Sequence, residues 1–74
     1  MTNQMFTLFD AARDATEKAG AYGATARINA VEDDAEAYDF TFADVIDRLT
    51  IIAEDRGCPA LAAVVSAFFA QMAE

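Results

Sequence analysis

The chain contains no histidine and no tryptophan, and only one cysteine, one proline and three glycines. Without histidine, the usual general bases, nucleophile–base pairs and zinc sites cannot be assembled. Cys58 has no second thiol to meet, so an intrachain disulfide is excluded. Cations are also scarce: five Lys and Arg stand against thirteen Asp and Glu, for a formal charge of −8 and a pI near 4.1. Nucleic acid and anionic membranes are held by basic surfaces, so neither is expected as a direct partner. The longest stretch without a charge, Gly57 to Ala73, is interrupted by Pro59, Ser66 and Gln71 and is too short to read as a membrane span. No basic segment followed by an apolar run opens the chain, which sets the expectation of a cytoplasmic protein.

What is present is apolar: 55% of the 74 residues are hydrophobic and six are Phe, more than a disordered chain carries. One small domain is expected. A core of fewer than about 80 residues supplies only ~3–5 kcal/mol, and natural examples add disulfides, a metal or a second subunit. With the first two missing, a homodimer is the expectation.

Apolar positions recur at Met5, Leu8, Phe9, Ala12, Thr16 and Ala19, with Asp10, Arg13, Asp14, Glu17 and Lys18 opposite, the pattern of an amphipathic helix. Thr2 or Asn3 can cap its start, and Asp10–Arg13 and Asp14–Lys18 are spaced to pair. Gly20 reads as a stop, yet Tyr22 and Ala26 keep the same phase, so the helix is placed over 3–26. Residues 27–40 hold Glu32, Asp33, Asp34, Glu36 and Asp39 with no cation after Arg27, and a self-repelling run of this kind is expected to be an exposed loop. The alternation of Tyr38, Phe40 and Phe42 with Asp39 and Thr41 allows a β-hairpin across 24–42 instead.

A second helix is expected over 42–56. Thr41 with Asp44 three residues on forms a capping-box signature, and Phe40 is placed to staple onto Val45. Phe42, Val45, Ile46, Leu49, Ile52 and Ala53 form its apolar stripe, while Ile51 falls among the charges as a candidate contact. Gly57 ends it and Pro59 opens a third helix over 59–73. There Leu61, Val64, Val65, Phe68, Phe69 and Met72 share one face and alanines fill the other, so cover on more than one side is needed. These six residues are the candidate self-association surface. The expected fold is all-α, a helical hairpin or three-helix unit that dimerises; the alternative is α+β with the central hairpin.

No catalytic, metal or cofactor site is expected. Cys58 lacks a nearby His or Lys and reads as a small buried residue. The acidic run lacks the glycine and ligand spacing of a calcium loop, and Gly20-x-x-Gly23 is no phosphate cradle. A non-enzymatic role follows: a binding module whose acidic, aromatic-flanked segment docks on a partner protein with a basic surface, a DNA mimic covering a nucleic-acid-binding surface, or an accessory dimer.

Two stretches, Phe9 to Glu17 (FDAARDATE) and Thr41 to Leu49 (TFADVIDRL), resemble the first two helices of the small phage-encoded anti-quorum-sensing proteins of Pseudomonas phages. The resemblance covers about a quarter of the chain. It implies a dimeric helical inhibitor that binds a quorum-sensing transcriptional activator and stops it binding DNA, and that also binds a pilus-assembly ATPase. It makes Arg13 and Phe42 candidate contacts, although the family carries Tyr where this chain has Phe42, and the Gly57-Cys58-Pro59 break departs from its pattern. Small acidic anti-CRISPR proteins are a related possibility. The candidate partner-binding set is therefore Arg13, Glu32, Asp33, Asp34, Glu36, Tyr38, Asp39, Phe42 and Ile51.

Overall fold

A computed structural model describes residues 1–72 and contains four helices among them: α1 (Asn3–Lys18), α2 (Tyr22–Ala37), α3 (Phe42–Arg56) and α4 (Pro59–Met72). The all-α expectation holds. The first helix stops eight residues earlier than expected, and the acidic segment is helix α2 rather than a loop or hairpin. Residue 73, expected in the last helix, lies outside the described residues.

Local chemistry explains each boundary. Thr2 caps α1, its Oγ1 accepting from the Met5 N–H at 3.2 Å. At the other end Gly20 adopts φ +72°, the Ala21 N–H donates to the Thr16 carbonyl at 2.8 Å and the Gly20 N–H to that of Glu17 at 3.0 Å. This is the glycine-centred reversal that satisfies the last carbonyls of a helix. It also resets the helical phase. Carried on from α1, the period would leave Ile28 on the charged side; counted from Tyr22, Ala24, Ile28, Val31 and Ala35 fall on one face, and three of the four are fully buried. The capping box of α3 forms as expected, with Thr41 Oγ1 accepting from the Asp44 N–H and Asp44 accepting from the Thr41 N–H. Gly57, at φ +58°, ends α3 with the same reversal as Gly20, through the Cys58 N–H to the Ala53 carbonyl.

The helices close into a ring. α1 packs on α2 and α4, α3 packs on the same two, α1 and α3 meet sparsely across the middle, and α2 and α4 lie on opposite sides. Phe9, Leu8, Ile28, Leu49, Ile52 and Leu61 are fully buried at the centre. Replacing Phe9 by Ala costs about 3–5 kcal/mol, as much as a core of this size supplies altogether. α4 is covered on two sides by α1 and α3, so the two-sided burial its composition demands is met largely within one chain. The exposed surface is 4300 Å², against about 4,450 Å² for a compact monomer of 8.0 kDa. No helix of the described residues is long and apolar enough to cross a membrane.

Candidate binding surface

Helix α2 has little local support of its own. It has no side-chain N-cap. Lys18 and Arg56 lie in the last turns of α1 and α3, where a cation complements the negative end of the helix dipole. α2 reverses this. Its last turn holds Asp34 and Glu36 and no base, with Asp33 just before and Asp39 just after. All four carboxylates are exposed, and none has a side-chain hydrogen bond or ion pair among the described residues. Tyr38, 73% exposed, stands at the same end with its ring stacked 6.4 Å from that of half-buried Phe40.

Tertiary contacts hold α2 in place. Every side-chain hydrogen bond between helices among the described residues ends on it. Arg13 reaches Glu32 at 2.8 Å and Asn29 at 3.4 Å, and Arg27 reaches Asp55 at 3.3 Å. The buried Thr16 hydroxyl lies 2.7 Å from that of Thr25 and also contacts the carbonyls of Ala12 and Arg13. Burial opposes the Arg13 charge, but hydrogen bonds to Asp10 and Glu32 outweigh it and raise its pKa. The Asp44 carboxyl is held below the usual range, first by the Thr41 backbone N–H, then by the Thr41 hydroxyl, with Arg48 adding a favourable charge.

The sequence-derived candidates therefore separate. Arg13 and Glu32 bond each other across α1 and α2. Asp33, Asp34, Glu36, Tyr38 and Asp39 gather at the C-terminal end of α2 and in the turn after it. Phe42 is half-buried against the core. Ile51, 49% exposed, borders a groove of about 210 Å³ between α2 and α3. Ala30, Val31 and Ile52 form the rest of its apolar lining, with Arg27, Arg48 and Asp34 as its charged lining. Arg27, Arg48 and Val31 were not among the candidates. The loop reading hides Arg27 and Val31, since only a helix at 22–37 places Val31 in one groove with Ile51 and Ile52; Arg48 lies on the expected helix and is missed because the groove's other wall is α2. Arg48, spaced to pair with Asp44, instead sits 5.1 Å over the Phe40 ring.

Of the six self-association candidates, Leu61 and Val65 are buried within the chain and Val64 and Phe68 are half-buried. Phe69 and Met72 are exposed. Among the described residues, no group of three or more His, Cys, Asp or Glu could hold a metal ion. No protein family, curated protein or solved structure matches the chain.

Proposed function

We propose that the chain is a non-enzymatic binding protein that occupies a cationic surface on a partner protein through the C-terminal end of α2. The observation that carries this reading is the placement of Asp33, Asp34, Glu36 and Asp39 at the negative end of a helix dipole, unneutralised and beside exposed Tyr38. An exposed carboxylate in the last turn of a helix is generally unfavourable by about 0.3–1 kcal/mol, and a local conflict of this kind is expected where function requires it. A partner bearing Lys and Arg relieves the conflict, while Tyr38 supplies an aromatic anchor. Surfaces that grip nucleic acid have that chemistry. A DNA-binding transcriptional activator is accordingly the favoured target, in keeping with the resemblance to phage anti-quorum-sensing inhibitors. A pilus ATPase, or an effector blocked by an anti-CRISPR protein, is bound in the same way if its surface is equally basic.

Self-association belongs to the same reading. The outward side of α4 exposes Ala63, Ala67, Phe69, Ala70 and Met72 and holds no charge among the described residues. Two chains of charge −8 meet there with the least repulsion. A helix of 14 residues is only ~21 Å long, and a stable dimer covers about 800 Å² per partner, so the dimer is weak unless α1 or α3 contributes.

The test is capture from bacterial lysate on the immobilised chain in about 0.1 M and about 1 M salt, between which the screening length falls from ~10 to ~3 Å. The expected result is a basic partner, released at high salt, whose DNA binding is lost when an equimolar amount of the chain is added. Capture that survives high salt, or a partner that keeps its DNA while bound, contradicts the reading.

A further inference from the structure

We propose that the groove between α2 and α3 is a docking site for a short segment of a partner protein that presents one aliphatic or aromatic side chain beside a carboxylate. The groove adjoins the acidic end of α2 and shares Asp34 with it, but the apolar residues and cations that carry the inference are not those of the acidic surface, and the probes below read the groove apart from partner capture.

Size decides the kind of occupant. About 210 Å³ is below the ~300–1,000 Å³ of ordinary small-molecule sites. A single side chain fits, and a metabolite is poorly enclosed. The lining is apolar where Val31, Ile51 and Ile52 meet. An isolated exposed isoleucine means little, but Ile51 lies beside half-buried Val31, with buried Ile52 closing the floor between them, which gives an incoming side chain something to pack on.

Charge decides its neighbour. Two of the five cations of the chain, Arg27 and Arg48, line this groove, with Asp34 as the one acid in its lining. The other three cations are engaged elsewhere. Arg13 is bonded to Asp10 and Glu32, Lys18 lies 2.9 Å from Asp14, and Arg56 covers the backbone of Gly23. Within the groove, Arg27 is already drawn to Asp55. Arg48 acts on Asp44 only at longer range, has no carboxylate within ion-pair distance among the described residues, and has its guanidinium positioned over Phe40. A carboxylate carried next to the anchoring side chain therefore meets Arg48, with the guanidinium held in place by the ring beneath it.

The test is a titration of the ¹⁵N-labelled chain, followed by amide resonances, with three probes of one shape: 4-methylpentanoate, its neutral amide, and isopentylamine. The expected result is saturable shifts at Ala30, Val31, Ile51 and Ile52 with the carboxylate. Binding should be weaker by roughly threefold or more with the amide, the scale of one exposed ion pair, and absent with the amine. Arg48→Gln should bring the carboxylate down to the affinity of the amide, and Ile51→Ser should weaken all binding while the helical circular dichroism is kept. Shifts scattered over the surface, or an amine that binds as well as the acid, overturn the proposal. So do shifts at these amides on raising protein concentration without any probe, which assign the groove to a second copy of the chain.

Discussion

Arg13 Nη1 lies 2.8 Å from Glu32 Oε1, tying α1 to α2, while Nη2 of the same guanidinium reaches Asp10 Oδ1 at 2.7 Å. Both side chains of the pair are only about a quarter exposed, so the interaction is better shielded than an ordinary surface bridge. Arg13→Met and Glu32→Gln should each destabilise the fold by about 1 kcal/mol, and a double-mutant cycle should return a coupling of roughly 0.5–1 kcal/mol. Zero coupling would mean that the pair does not hold the two helices together, and would return Arg13 to the set of partner contacts.

Asp39 occupies the turn after α2 at φ +57°, the position that Gly20 and Gly57 take after α1 and α3. The reversal is otherwise the same, with the Phe40 N–H donating to the Ala35 carbonyl at 3.1 Å. A side chain is strained in this region, and the carboxylate adds to the excess at the end of α2. Asp39→Gly is expected to stabilise the chain by about 0.5–1 kcal/mol, readable as a higher urea midpoint with an unchanged slope. A lower midpoint would show that Asp39 makes a favourable contact outweighing the strain.

The pKa of Asp44 is lowered in the folded chain by the Thr41 N–H and hydroxyl. A depressed carboxyl contributes stability that is present above its unfolded value, about 3.9, and lost as pH falls through the folded value below that. Thr41→Ala removes the hydroxyl but keeps the backbone donor. It should therefore lower stability at neutral pH while shrinking the loss seen below about pH 4. Parallel acid-denaturation curves for the two proteins would contradict the assignment.

α3 was legible almost to the residue, because its start carries a capping box, its end a glycine and its stripe an unbroken period. α4 was legible for the same local reasons, although its cover came from α1 and α3. α2 was not legible, for two physical reasons. A helical phase cannot be carried through a left-handed glycine, so the period of α1 does not place Ile28 on its buried face. The acidic run, weak as a helix by itself, is held by Ile28, Ala24 and Ala35 in the core and by bonds from Arg13, Thr16 and Asp55, partners 9 to 28 residues away. The acidic cluster itself was visible in the sequence. Its position at the wrong end of a helix, and the Arg27–Arg48 groove beside it, needed the fold.

The most direct measurement is the double variant Asp33→Asn/Glu36→Gln, scored for thermal unfolding and for partner capture in the same buffer. Removing these carboxylates should stabilise the fold by about 0.3–1 kcal/mol, chiefly through Glu36 in the last turn of α2, a rise in Tm of roughly 2–6 °C for a domain of this size, while capture of the basic partner falls. A variant that is more stable yet captures the partner as well as before would show that the acidic end of α2 is not the binding surface. One that loses stability would show that these carboxylates support the helix and do not strain it.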